Sequence, residues 1–160
     1  MAGMVSPIPA GLTIHPEKTH LVNFRRPTRR EKVGGETFDL LGFTHYWDKT
    51  RLGFWVIKRR TMKKRLRRTL RALWVWCRNN RHLKIEHQHR VLCSKINGHN
   101  QYYGIRCNCE MLKIVYDGTL RAWRYWLSQR SHKSNIRWDK FKPQVLNRFP
   151  LPTPRVIHAI

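Results

Sequence analysis

MKKRLRRTLRALWVWC, residues 62–77, combines an apolar stripe with a dense positive charge. Its apolar side chains recur at spacings of four, four, three and four, which is the period of an α-helix with one buried face. These side chains are Met62, Leu66, Leu70, Leu73 and Cys77. The cations on the rest of the circumference are Lys63, Lys64, Arg65, Arg67, Arg68 and Arg71. Since like charges one turn apart repel each other, we predict an amphipathic helix whose basic face binds an anionic partner.

Two more helices are predicted after this one. Ile85, Leu92 and Ile96 outline the second, and Gly98 is expected to end it as a C-terminal glycine. The third follows Asn108, whose side chain is expected to cap it. Its stripe is Leu112, Tyr116, Leu120, Trp123 and Leu127, with Trp123 expected in the core. The stretch between them, GHNQYYGIRCNC (98–109), is thus interpreted as a helix-to-helix corner in which the adjacent tyrosines point to different sides.

Strand patterns precede the helices. Residues 38–46 and 52–57 are aromatic and β-branched runs separated by a turn, which is typical of a β-hairpin. After Ser131 the chain is polar and basic and ends in FPLPTPRVI, whose three prolines favour an extended tail. The predicted fold class is therefore α+β, a short N-terminal hairpin region followed by a mainly α-helical, three-helix domain.

The composition points to nucleic acid. The chain of 160 residues has 33 Lys and Arg against 9 Asp and Glu, a net charge of +24, and 41% hydrophobic residues. This apolar content excludes a disordered basic tail, and a folded body with so much charge is expected to bind a polyanion. Aromatic residues interleave with the cations and could stack on unpaired bases. Trp74 and Trp76 cannot face the same way on one helix, so at least one is expected at a surface. No apolar run approaches a membrane span, so no membrane partner is expected.

Three metal-dependent chemistries are not favoured. Cys107 and Cys109 are one residue apart and splay, so they do not make a zinc site, and reduced thiols are expected. A His-Asn-His nuclease built on His99 would need a tight ββα unit, whereas the flanking period is helical. Two-metal nucleotidyl transfer needs clustered carboxylates, and the nine acids here are separated. No metal ligands and no catalytic residues are therefore assigned.

Five segments in order resemble the C-terminal part of group II intron reverse transcriptases. They are IHPEKTHLVNF (14–24), FDLLGFTHYW (38–47), INGHNQYYGI (96–105), RAWRYWLSQRS (121–131) and FPLPTPRV (149–156). The resemblance covers nearly everything after Gly11. It implies a palm remnant with the primer-grip hairpin over 12–60, a three-helix thumb or maturase-specific (X) domain over 61–131, and a basic, Pro-rich tail over 132–160. Residues 1–11 are expected to be a disordered lead.

The resemblance also implies roles for particular residues. Lys18 would lie near the incoming triphosphate in an intact enzyme, and Leu41, Gly42 and Phe43 would form the primer grip. Together with the basic and aromatic patterns, it predicts a set of RNA-binding residues. These are Lys63, Lys64, Arg67, Arg68, Arg71, His99, Gln101, Tyr102, Tyr103, Arg121, Arg124 and Arg130.

The implied function is binding of structured group II intron RNA, or of an RNA–DNA template-primer duplex, in support of splicing and reverse transcription. The Tyr-Ala-Asp-Asp element that holds the metals in such polymerases is absent from these residues, so the chain alone is not expected to be an enzyme. No cofactor is expected, and Mg²⁺ belongs only to an intact reverse transcriptase. The location would be bacterial cytoplasm or a eukaryotic organelle. Two alternatives stay open: part of a split polymerase completed by a separate fingers and palm chain, and a free-standing ribosomal-type RNA-binding protein.

Overall fold

The structure, a computed structural model, describes residues 21–31, 35–131 and 136–158. The expected disordered lead and Lys18 lie outside these residues. The described part confirms the α+β class, with a small antiparallel sheet followed by helices. None of the helices in these ranges is long and apolar enough to cross a membrane.

Three strands form the sheet in the order β1-β2-β3: β1 (Phe38–Leu40), β2 (Phe43–Lys49) and β3 (Trp55–Thr61). The hairpin predicted between residues 46 and 52 is present between β2 and β3. However, the run predicted as a single first strand folds back on itself at Leu41 and Gly42. Both residues have positive φ, 49° and 83°, as in the type I′ turn that matches the twist of a hairpin. The strand pattern alone missed this turn, because Leu-Gly is a weaker turn signal than Asn-Gly or Asp-Gly, whereas the family resemblance implied a hairpin centred on Leu41, Gly42 and Phe43.

The helical body contains α1 (Lys63–Asn79), α2 (Ile85–Tyr103), α3 (Cys109–Ser128) and the short α4 (Trp138–Phe141). The periods that predicted α1 and α3 are confirmed. The prediction that Gly98 ends the second helix was wrong, since α2 continues for five more residues to Tyr103, with Gly104 at its C-cap. The added turn is held by tertiary contacts, because the buried Asn100 donates to the carbonyl of Thr153 at 3.2 Å.

The core lies where the helices meet. Trp123 is fully buried, as predicted from its place on the stripe, and its indole N–H donates to Oε1 of Gln88 at 2.8 Å. The buried apolar side chains around it are Leu73, Cys77, Leu92, Ile96, Val115, Leu127, Phe141, Val145 and Leu151. Burial raises the pKa of Cys77 to about 12, so its thiol stays protonated. All four cysteines are free thiols.

The C-terminal segment is packed against the helices, and its last part, FPLPTPRVI (149–157), contains no helix or strand. Phe141, Val145 and Leu151 belong to the core, and residues 142–146 form a π-helical turn after α4. Further along, the carbonyl of Gly104 accepts hydrogen bonds from the backbone N–H groups of Ile157 and His158 at 2.7 and 2.9 Å. A β-carbon on Gly104 would lie 2.8 Å from the carbonyl oxygen of Arg155, so glycine permits this close approach. The segment after the predicted boundary at residue 131 therefore contributes side chains to the helical core.

Candidate nucleic-acid interface

One face of α1 is positively charged and open to solvent. Its six cations between Lys63 and Arg71 are all exposed, and the first turn of the helix contains no acid. Within the described ranges, the two ion pairs are Arg25–Glu31 and Lys58–Asp48, and neither involves α1. No carboxylate of the described residues therefore forms an ion pair with this face, and an anion bound here would relieve the repulsion along the helix.

This basic face borders a cleft of about 570 Å³ between α1 and the sheet. The cleft is lined by Thr37, Asp39, Thr44, Arg60, Lys63, Lys64 and Arg67. Four of these side chains are cationic and one is acidic, so the cleft carries a positive potential. We call it the basic cleft. Its walls come from two different elements, so both must be correctly placed for an extended polyanion to be bound.

The sheet side of the basic cleft is set by strand register. Asp39 pairs with Thr44 in β1 and β2, and Thr44 pairs with Arg60 in β2 and β3, which puts the three side chains on one face. The Thr44 hydroxyl donates to Oδ1 of Asp39 at 2.5 Å. Arg60 lies over the ring of Tyr46 at 5.0 Å, a contact that orients its guanidinium without neutralising it. Arg60 was not predicted as a site residue, because its position beside α1 depends on a register that a single strand pattern does not reveal.

The turn formed by Leu41, Gly42 and Phe43 rests on the C-terminal end of α2. Tyr102 donates its hydroxyl to the carbonyl of Leu41 at 2.8 Å, and the Tyr103 hydroxyl lies 3.1 Å from where a Gly42 β-carbon would be. Both tyrosine rings contact Phe43, with centroids 5.9 and 5.3 Å away. The prediction that the two tyrosines serve different sides was wrong, since both support this turn. Leu41, in contrast, is 75% exposed and adopts a conformation unusual for a non-glycine residue.

Asn108 joins the sheet to the helices. Its Oδ1 accepts from the backbone N–H of Thr61 at 2.8 Å, and its Nδ2 donates to Oγ1 of Thr61 and to the carbonyl of Tyr103, at 2.8 and 2.9 Å. The expected helix cap is absent, since no side-chain bond is made to α3. Thr61 ends β3 immediately before α1 begins. The side chain predicted to start α3 therefore fixes the junction between Arg60 of β3 and Lys63 of α1, two residues that line the basic cleft.

His99 and Gln101 differ in their surroundings. The His99 ring packs on Tyr103 with centroids 4.6 Å apart, and burial lowers the pKa of His99. Its Nε2 is buried and has no hydrogen-bond partner within the described part of the chain. Gln101 is exposed, and its backbone carbonyl contacts the imidazole of His158 at 2.8 Å. Gln101 is thus the more accessible of the two for a ligand.

The three predicted arginines of the α3 region occupy different environments. Arg124 donates to the carbonyl of Ile136 at 2.8 Å and lies over the Trp138 ring at 4.8 Å. Arg130 donates to the carbonyls of Arg81 and Leu83, both at 2.5 Å. These two guanidinium groups hold loops in place. Arg121 is exposed and makes no ion pair among the described residues, so it is the one most available to a phosphate.

No metal-binding constellation is found in the part of the chain that the structure describes: no three His, Cys, Asp or Glu side chains converge there. The described carboxylates are instead scattered. Asp48, for example, is engaged with Lys58 at 2.9 Å, and this hydrogen bond holds the pKa of Asp48 below its usual range. The chemistry that the described surface offers is electrostatic binding of an anion.

Fold and surface together define a basic α+β protein with a cationic cleft between a three-stranded sheet and a helical body. Comparison of the chain with protein-family models, with curated proteins and with solved structures found no match. Its function therefore has to be inferred from its own residues and their geometry.

Proposed function

We propose that this chain is the C-terminal portion of a group II intron reverse transcriptase and maturase, and that it binds structured RNA or an RNA–DNA duplex through the basic cleft. The observation that carries the proposal is the cleft itself, where Arg60, Lys63, Lys64 and Arg67 outnumber Asp39 and form no ion pair among the described residues. Lys and Arg side chains positioned in this way bind phosphate groups irrespective of base sequence. The same proposal places the protein where such RNA occurs, in the bacterial cytoplasm or in a eukaryotic organelle.

The order of elements supports the family assignment. The resemblance implies a primer-grip hairpin followed by a three-helix thumb, and the described residues contain a tight turn at Leu41–Gly42, a sheet and then α1, α2 and α3. The turn leaves Leu41 exposed at one end of the sheet that borders the basic cleft. The hydroxyl of Tyr102 holds the backbone of this turn through its hydrogen bond to the Leu41 carbonyl. A rigid turn next to a phosphate-binding face suits contact with a nucleic-acid backbone. Polymerisation by this chain alone is not part of the proposal.

A second candidate function is one part of a split reverse transcriptase. The observation that favours it is the apolar β2–β3 turn, where the neighbouring Leu52 and Phe54 are 82 and 61% exposed. Exposed apolar groups of this size mark protein contact sites when they form a continuous patch. A separate fingers and palm chain is the partner that this reading implies.

Charge reversal on α1 tests RNA binding by the basic face. In the Arg67→Glu/Arg68→Glu/Arg71→Glu variant, one cation of the basic cleft and two neighbouring cations of the basic face of α1 become repulsive carboxylates. We expect affinity for a transcribed group II intron RNA to fall at least about a hundredfold at physiological salt, with a salt slope shallower by about three, one contact per residue. Filter binding at several salt concentrations measures both quantities.

The matched control is Lys140→Glu/Lys142→Glu/Arg148→Glu. It makes the same change in net charge at exposed positions of the C-terminal segment. We expect this control to lose much less affinity than the α1 variant, with an unchanged circular-dichroism melt for both. Equal losses in the two variants would mean that net charge, and not the α1 face, determines binding, and would contradict the proposed site.

A further inference from the structure

Trp74 and Tyr125 form an exposed aromatic pair on the outer surface of the α1–α3 contact. Their ring centroids are 5.0 Å apart with an interplanar angle of 29°, so the rings are stacked. Trp74 is 40% and Tyr125 41% exposed, whereas Trp123 of α3 is fully buried. Stacked aromatic side chains with this much open surface can accept another flat ring against them.

The pair lies in line with the basic face of α1. Arg67, Arg71, Trp74 and Arg78 follow one another at spacings of four, three and four, so they share one stripe of the helix. On α3, Arg121 precedes Tyr125 by one turn and therefore lies on the same face. Arg71, Arg78 and Arg121 are exposed. A path of guanidinium groups thus leads from the basic cleft to the aromatic pair and continues on both sides of it.

Trp126 forms the base of the pair. Its ring meets Trp74 edge-on at 5.5 Å and Tyr125 edge-on at 5.0 Å, and Arg78 lies 5.9 Å from its centroid. These contacts fix the two outer rings from beneath and leave their outward surface to solvent. Asp117 lies one turn before Arg121, but it makes no ion pair within the described residues. The positive charge beside the pair is therefore available to a ligand.

We propose that Trp74 and Tyr125 are a stacking platform for an unpaired base of the bound RNA, with Arg71, Arg78 and Arg121 binding the adjacent phosphates. This inference rests on the proposed RNA-binding function and specifies it: the ligand is an RNA that carries at least one base outside a duplex. Guanidinium groups supply attraction to the backbone, and the aromatic faces accept any base without reading its sequence.

The test compares two RNAs of equal length, one a fully paired duplex and one with three unpaired adenosines at its centre. In the Trp74→Leu/Tyr125→Leu variant the apolar contact with Trp126 is kept while the aromatic faces are removed. We expect affinity for the RNA with unpaired adenosines to fall by roughly 5- to 150-fold and affinity for the full duplex to stay within about twofold. The Trp74→Phe/Tyr125→Phe variant retains aromatic rings and is expected to keep most of the preference.

Trp138→Leu is the control for loss of an exposed tryptophan, since Trp138 is 38% exposed and lies outside α1 and α3. It is expected to leave binding of both RNAs unchanged. Suppose that the wild-type chain binds both RNAs with a steep salt dependence. If the leucine variant then keeps the preference for the RNA with unpaired adenosines, or loses affinity for both RNAs equally, the platform is refuted and the proposed function stands. If the wild-type chain binds neither RNA, both are refuted.

Discussion

Replacing Trp123 by alanine is expected to lower the free energy of unfolding by about 3–5 kcal/mol, the usual cost of removing a large aromatic side chain from a core. Trp123 is fully buried, packs edge-on against Phe141 at 5.8 Å and bonds Gln88 at 2.8 Å. Gln88 in turn donates to the carbonyls of Asn80, Arg81 and Leu83 in the loop between α1 and α2. The substitution therefore leaves a cavity and also releases a buried amide that orders this loop.

Urea titration of the wild type and variant measures the change. Trp123→Phe is the second variant to compare, because it keeps most of the side-chain volume but removes the hydrogen bond to Gln88. We expect it to cost about 1–3 kcal/mol, the penalty of leaving one buried polar group without a partner plus a small packing loss. A cost below about 1 kcal/mol for Trp123→Ala would mean that the helices do not pack around this side chain.

Replacing Asn108 by alanine is expected to cost about 2–4 kcal/mol, since it leaves the buried N–H of Thr61 without its acceptor and opens a small cavity. Asn108 and Thr61 are each 1% exposed, so water does not readily replace the lost bonds. We also expect weaker RNA binding, because this pair fixes the end of β3 and the start of α1, and Arg60 and Lys63 on either side of that junction line the basic cleft.

A double-mutant cycle with Thr61→Val separates these effects. Valine keeps the shape of threonine and the backbone N–H but removes the Oγ1 that accepts from Asn108. We expect the two substitutions to be less than additive, with a coupling energy of about 0.5–3 kcal/mol, the range for residues in one hydrogen-bond network. Strict additivity would show that the two side chains are not coupled and that the sheet is held to the helices by other contacts.

Periodicity predicted α1 and α3 because the helical spacing of apolar residues is visible in the sequence itself. The stripes in α1 and α3 repeat with the helical period over about four turns, and most of their apolar side chains lie in the core or pack against it. A local signal of this length suffices without knowledge of the partner element. The α+β class followed from the change of period between residues 57 and 62.

Tertiary contacts decided what periodicity could not. Gly98 is a plausible helix end by itself, but the helix is continued by Asn100 bonding Thr153 and by Tyr103 packing on Phe43. Asn108 suits a helix cap locally, yet its side chain bonds Thr61, 47 residues away. The apolar residues of the C-terminal segment show no periodic spacing. Its Phe141 and Leu151 are buried in the core with side chains of α1, α2 and α3, which precede them in the sequence.

The candidate site was predicted on its helical side alone. The cations of α1 could be identified as one face from their spacing, whereas Arg60 joins them only through strand register. Arg124 and Arg130 were predicted as RNA contacts on charge, but charge does not reveal that their guanidinium groups hold the carbonyls of Ile136, Arg81 and Leu83. The stripe of Arg67, Arg71, Trp74 and Arg78 was readable from spacing, but its pairing with Tyr125 was not.

Binding of structured RNA by the basic cleft can be measured with a salt titration of the purified wild-type chain. The affinity for a transcribed group II intron RNA is measured by filter binding between about 50 and 200 mM salt, across which a protein with 6–10 phosphate contacts loses roughly 10³–10⁵ in affinity. We expect a straight log–log plot with a slope of about −3.6 or steeper, since four cations line the cleft and each neutralised phosphate contributes about −0.9 to the slope. A slope near zero, or no binding at the lowest salt, would contradict binding by the basic cleft.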